Sequence, residues 1–236
     1  MDIARWGIPD GTLPVSAFSM GGRWVNSSSG HPEFTDQGQT PNMQLTVMDF
    51  GGPLLVFEVA GLCGKSVVGR DAPPAKVDNE FYLEEGAIKG GKFYPNGSDK
   101  GESIEAEAHV EPGGIFENFI ACVRSRDRTK LQADIETAHY SAACCHLGNI
   151  SYRLGEQVSG DTRPDVLGAH SEVKRSWDHI ERSLRDAIGL DLSKTTYQLG
   201  AMLKFDPKRE KFVGNPAADK LLTREYRKPF VVPDEV

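Results

Sequence analysis

The chain has 236 residues, of which 39% are apolar and 26% charged, and a formal net charge of −7. That balance supports a buried core and excludes an intrinsically disordered chain. The negative charge argues against a nucleic-acid partner, whose phosphates need a basic face, and no apolar run approaches the roughly 20 residues that cross a bilayer.

The first eight residues already read as a helical turn, with Met1, Ile3 and Trp6 on one face. No Ser, Thr, Asn or Asp precedes them to cap the free N–H groups. We therefore read Met1 as a residue inside a longer parent polypeptide. On that reading, the absence of a signal peptide leaves the compartment open between cytoplasmic and exported. A strand is expected over residues 12–23, then a polar loop over 26–30. A second strand, over 42–50, alternates Leu45 and Val47 with Gln44 and Thr46. Gly51-Gly52 turns the chain into a third strand over 54–59, a hairpin pattern, with Pro53 at its first position, where a missing N–H costs least.

Residues 65–80 are rich in turn formers. Short strands are expected at 81–83 and 92–94, punctuated by Gly86, Gly90-Gly91 and Pro95-Asn96-Gly97. Residues 100–111 are charged and expected to be solvated. After Pro112-Gly113-Gly114 the period becomes helical, and Ile115, Phe116, Phe119, Ile120 and Val123 form one stripe. A longer helix follows over 134–154, with Asp134 as N-cap and Gly155 as stop. Its small middle residues, Ala138 to Gly148, let another backbone come close. A third helix after Ser171 places Val173, Trp177, Ile180, Leu184 and Ile188 three or four apart and ends at Gly189. Asn215-Pro216 has the cap-then-proline order of a short helix start. Strands first and helices after point to an α+β fold: a mainly antiparallel open sheet, helices packed on one face, and a C-terminal helical extension. The simplest parse is a single domain over 1–236, with a core over 1–160 and an extension over 161–236.

The four cysteines, Cys63, Cys122, Cys144 and Cys145, do not have the spacing of a disulfide framework. Cys144-Cys145-His146 resembles a metal cluster, but neighbours on a helix point about 100° apart and three in a row do not converge on one ion, so small buried thiols are the preferred reading. The Gly-x-Gly-x-x-Gly fingerprint of a dinucleotide site is absent. Residues 61–66 imitate the tail of a P-loop, yet Val59 stands where the first glycine belongs. No His-Glu-x-x-His or Gly-x-Ser-x-Gly occurs. The run from Asp36 to Asn42 is a polar, proline-stiffened loop. It is either an ordinary strand entry with an Asx-type turn or a platform of fixed donors and acceptors suited to a polyhydroxylated ligand. His146 and Asn149, three apart on the long helix, are either a satisfied buried polar pair or a substrate contact. His139 and His146 lie two turns apart, too far to share a metal. Asp178-His179 is expected to be solvated.

Several stretches together resemble oxidoreductases of the Gfo/Idh/MocA type. Met1 to Gly7 is similar to the segment that follows that family's catalytic histidine. Asp36 to Asn42 with Gln44 is similar to a subgroup's Asp-x-Gly-x-Thr-Pro-Asn-x-Gln loop. His146 to Gly155 is similar to its long C-terminal helix, and Gly214-Asn215-Pro216 through Leu222 to Pro229 is similar to its tail. The resemblance covers nearly the whole chain. It implies a two-domain enzyme: a Rossmann domain that holds NAD or NADP and the catalytic lysine of a Glu-Lys-Pro motif, and a C-terminal α+β domain that covers a sugar or cyclitol and pairs through its sheet face. This chain departs from the pattern. It has no nucleotide domain, Arg227-Lys228-Pro229 is not Glu-Lys-Pro, and the Asp-x-x-x-His pair would lie before Met1.

The expectation is therefore a substrate-covering and oligomerising domain of an NAD(P)-dependent sugar- or cyclitol-type oxidoreductase, inactive alone. It has no catalytic residue, no metal and no cofactor of its own. Arg23, Asp36, Gln39, Thr40, Asn42, His146 and Asn149 are the expected substrate contacts. The partners would be a sugar or cyclitol-like small molecule and a second copy, with no nucleic acid or membrane. A non-catalytic dimeric scaffold or carbohydrate-binding module is the alternative. A cofactor-free enzyme using carboxylates such as Asp36 and Glu58 is a third reading, since glycoside hydrolysis needs two carboxyl groups at a set separation.

Overall fold

A computed structural model of the protein describes residues 1–24, 38–62, 77–105 and 114–233. The expected loop at 26–30, the P-loop-like residues from Cys63 to Ser66, most of the turn-rich stretch 65–80, the charged residues 106–111 and Asp36 lie outside them. The chain divides into two compact units. One comprises Met1–Thr12 and Lys76–Cys144, the other Leu13–Ala75 and Cys145–Val236.

The larger unit is built on an antiparallel sheet. Strands β1 (Ser16–Gly22), β2 (Met43–Asp49) and β3 (Leu54–Ala60) form a meander. The β2–β3 turn follows the expected Gly-Gly hairpin. The Asp49 carboxylate accepts the Gly51 N–H at 2.7 Å, and Pro53 stands just before the returning strand. Alternation puts Phe18, Met20, Met43, Leu45 and Val47 on one face. Ala17, Ser19, Gly21, Gln44 and Thr46 fall on the other.

The far edge of β1 is completed by late strands that hydropathy did not reveal. These are β8 (Glu156–Ser159), β9 (Thr196–Leu199), β10 (Leu203–Asp206) and β11 (Lys211–Phe212). β9 and β10 both pair with β1, at Met20–Gly21 and Ser16–Ala17 respectively, leaving a gap between them. Ser151 fills that gap. Its hydroxyl accepts the Ser19 N–H at 2.9 Å and donates to the Ala201 carbonyl at 2.7 Å, and its own carbonyl accepts the Ala201 N–H. Gly200 makes this approach possible, because a Cβ there would stand 2.2 Å from the Ser19 oxygen.

Helices cover the sheet on both faces where one was expected. Three further helices belong here: α3 (Ile135–Arg153), which begins in the smaller unit and ends in this one, α4 (Val166–Ala169) and α5 (Ser171–Arg182). α5 lays Val173, Trp177 and Ile180, each at most 2% exposed, on the Met20–Leu45 face, and Leu184 just beyond it is buried too. The end of α3 meets the opposite face, where Gly148 sits on Thr46 so closely that a Cβ would come within 2.7 Å of its Cγ2. Of the small residues read from the sequence on this helix, Gly148 admits this close neighbour, whereas Ala138, Ala142 and Cys145 are exposed. The fold is α+β with an open antiparallel sheet, as expected. The C-terminal residues add strands to that sheet as well as a short helix, α6 (Pro216–Asp219), whose Asn215 cap accepts the Ala218 N–H at 3.0 Å.

The smaller unit holds helix α1 (Asp2–Trp6), a four-stranded antiparallel meander of β4 (Phe81–Tyr82), β5 (Gly86–Lys89), β6 (Lys92–Pro95) and β7 (Glu102–Ser103), helix α2 (Gly114–Ser125) and the start of α3. Its interior is polar. Arg5, 6% exposed, donates to the Ser141 hydroxyl at 3.0 Å, to the Gly11 carbonyl at 2.7 Å and to the Thr137 carbonyl, while Ser141 donates to Asp2. The apolar stripe expected on α2 forms but does not face inward. Asn118 does, donating to the Lys130 carbonyl at 2.9 Å and accepting the Gln132 N–H at 3.1 Å.

Candidate functional site

The sequence points first to the loop that enters β2. Arg23, just past the end of β1, reaches across and donates to the Thr40 carbonyl at 2.9 Å. Asn42 is half-buried, and its side chain behaves as an extra rung of the β1–β2 ladder. Its amide oxygen accepts the Trp24 N–H at 3.1 Å and its amide nitrogen donates to the Trp24 carbonyl at 2.6 Å. Its backbone pairs with Gly22 on one side and Gly61 on the other. The Asn42 amide is thus consumed in holding the loop, and it positions the loop instead of offering itself to a ligand. Gln39 and Thr40 are exposed. Their side chains are presented from a segment whose Thr40 carbonyl and Asn42 side chain are tied to the end of β1, which lowers the ordering cost of a hydrogen-bonded complex.

His146 and Asn149 stand on α3 and are exposed, not the buried pair that one reading of their spacing suggests. Neither side chain makes a hydrogen bond among the described residues, and none joins them to the loop. Of the seven expected contacts, Arg23, Gln39, Thr40 and Asn42 are brought together. His146 and Asn149 are separate exposed polar residues of α3 on either side of Gly148, and Asp36 is outside the described residues.

Between the clamp and α3 runs a buried polar seam. Gln44 donates to the Ser19 hydroxyl at 2.7 Å, and Ser19 shares a 3.0 Å hydrogen bond with Thr46. Buried hydroxyls cost free energy unless paired, and these are paired among themselves and through Ser151. The seam is a structural adhesive between sheet and helix, and it leaves no free acid or base.

Sequence reasoning missed a second cluster. His179, expected to be solvated, places its Nδ1 2.5 Å from the Glu58 carboxylate. Its carbonyl accepts the Ser183 hydroxyl at 2.9 Å. The signal was available: Glu58 falls on the strand parity of Val56 and Ala60, the covered side of β3, where a carboxylate requires a partner. Nearby in sequence, buried Glu181 pairs with Arg163 at 2.5 Å. Tyr197 packs on Trp177 with ring centroids 5.1 Å apart and donates to the Thr162 carbonyl. Burial pushes the Tyr197 phenol up to about 12, an effect the Arg163 charge opposes and the Glu181 charge reinforces.

A concavity of about 500 Å³ runs along α5 and is lined by Ser171, Lys174, Arg175, Asp178, Arg182 and Arg185. It shares no residue with the loop. Lys174 is paired to Asp178 and Arg175 to Glu172 within the helix, so much of its charge is already met.

Among the described residues every strand pairing is antiparallel, and no described strand passes through a glycine-rich turn into a helix N-terminus, the arrangement that holds a pyrophosphate. Among the described residues no group of three or more His, Cys, Asp or Glu side chains is placed to hold a metal ion, and no helix is long and apolar enough to cross a membrane. Among the described cysteines Cys144 is buried as expected, whereas Cys122 is half-buried and Cys145 exposed, because their helix positions turn them away from the core. Comparison with protein-family models, with curated proteins and with solved structures finds no match to this chain.

Proposed function

We propose that the chain serves as the substrate-covering and oligomerising domain of an NAD(P)-dependent oxidoreductase acting on a sugar or cyclitol, with the nucleotide held by a different domain. The observation that carries this reading is the double clamp on the β2 entry loop. Arg23 on Thr40 and Asn42 on Trp24 hold Gln39 and Thr40 at fixed positions in solvent. A polyol is recognised by several hydrogen bonds at set spacings, and a pre-ordered loop supplies them without first being ordered. The antiparallel α+β architecture and the resemblance of the loop, the long helix and the tail support the same reading. No residue here receives a hydride-transfer or proton-transfer role, because general acid–base groups must lie within hydrogen-bond reach of the reacting atoms.

Saturation-transfer NMR with a panel of hexoses and inositols, run beside calorimetry with NADH and NADPH, tests the proposal. Weak polyol binding that Gln39→Ala and Arg23→Ala abolish, with no heat from either nucleotide, is the expected result. Micromolar nucleotide binding, or a panel that gives no transfer, would overturn it. Glu58 and His179 keep a cofactor-free hydrolytic reading testable: turnover of an aryl glycoside that Glu58→Gln removes would favour it over the oxidoreductase.

A further inference from the structure

Helix α2 is inside out. Its inward contacts are made by Asn118, while Phe116 is 77% exposed, Phe119 59%, Ile120 47% and Val123 44%. Ile115 and Ile135 flank a shallow apolar groove of about 260 Å³ floored by Asn118 and Leu131. By side-chain size, these six residues leave on the order of 700 Å² of apolar surface open, close to the ~800 Å² that each partner contributes to a standard stable interface. Monomeric proteins rarely display a contiguous patch of that extent.

The polar rim says what covers it. Glu117 and Arg124 lie seven residues apart, on the same side of the stripe. Both are exposed, and neither side chain makes an ion pair or hydrogen bond among the described residues. We infer that α2 pairs antiparallel with α2 of a second copy of this chain, about a two-fold axis between Ile120 and Ala121. In that register Glu117 of each copy meets Arg124 of the other, so two ion pairs form from one sequence. Ile120 meets its own counterpart near the axis, and Val123 packs on Phe119 of the opposite copy. An isologous pairing of this kind requires a self-complementary patch, with opposite charges equidistant from the axis, and α2 has both. The proposal stands apart from the sugar-domain reading: the surface is α2, not the sheet face that the resemblance implies.

The test uses the full chain in sedimentation velocity over a concentration series up to about 100 µM, where a standard-sized interface is populated. The wild type is expected to sediment as a dimer. Ile120→Asp sets two carboxylates against each other at the axis and is expected to weaken dimerisation by at least about 100-fold, with the far-ultraviolet circular dichroism unchanged. Glu117→Arg creates two like-charge pairs and is expected to weaken it about ten-fold, and adding Arg124→Glu restores it to within about three-fold. If Ile120→Asp loses its dichroism, the charge-swap series carries the test alone. A wild-type monomer throughout the range, an Ile120→Asp dimer as tight as wild type, or a double swap that fails to rescue the single one would each overturn the proposal.

Discussion

Helices α2 and α5 have 12 residues each, and each carries an apolar stripe that is plain in the sequence. On α5 the stripe points into the molecule: Val173, Trp177 and Ile180 are almost wholly buried against β1, β2 and β3. On α2 the stripe points out, and an asparagine takes the inward place. α1 repeats the pattern, burying Arg5 and exposing Ile3 and Trp6 at 54% and 56%. The larger unit is therefore held by apolar burial against a sheet, and the smaller one by a few well-made polar contacts. The difference teaches that amphipathicity sets which residues share a face, while the surface available opposite decides whether that face turns inward. A seven-stranded sheet offers the area; a meander with strands of two to four residues offers less.

The contrast is broken most severely at Trp177. Trp177→Ala leaves a cavity in the larger unit's core and is expected to cost about 3–5 kcal/mol in chemical denaturation. Phe116→Ala, also an aromatic-to-alanine change on a 12-residue helix, is expected to change monomer stability by no more than about 0.5 kcal/mol at concentrations where no association occurs. Equal losses at the two sites would mean that α2 is packed as α5 is.

Alkaline titration sharpens the picture of that same core. The Tyr197 phenol is held up to about 12 in the fold, against 10.0 as its ordinary value. The folded state therefore keeps a proton that the unfolded state releases. The stability this provides is fully present below pH 10 and is lost as pH rises towards 12, amounting to about 2–3 kcal/mol. Urea denaturation at pH 8 and pH 11 is expected to show about half of this loss, ~1.4 kcal/mol, in the wild type and a much flatter response in Tyr197→Phe, whose own cost at pH 8 is about 1 kcal/mol for the hydrogen bond to Thr162.

Ser151→Ala leaves the Ser19 N–H and the Ala201 carbonyl without their side-chain partner and is expected to destabilise the larger unit by about 1–3 kcal/mol. Hydrogen exchange should show the effect concentrated at Ser19 and in residues 199–203, with the smaller unit unaffected. A more local effect is expected at the last helix. Asn215→Ala removes its cap and is expected to cost about 1 kcal/mol, seen as fraying of Pro216–Asp219.

Much of the fold was readable from local chemistry. The Gly51-Gly52 hairpin, the Asp134 and Asn215 caps and the stripe on α5 each need only neighbours in sequence, and each is found where residue type and spacing place it. The late strands were not readable. Thr196–Leu199 and Leu203–Asp206 are short, interrupted at Gly200, and become strands because β1 has an open edge and Ser151 closes the break. The candidate site divides in the same way. Arg23, Gln39, Thr40 and Asn42 announced themselves as a polar loop. That Asn42 is a clamp, and that His179 belongs to Glu58, depends on residues 18 and 121 positions away in sequence.

By itself, then, the sequence determined the period of each element, its caps and turns, and the acidic α+β character of the whole, because those follow from forces acting within a few residues. Only the tertiary structure decided which faces are covered, which polar groups are consumed in holding the backbone and which stand in solvent, because burial depends on surfaces that distant segments bring together.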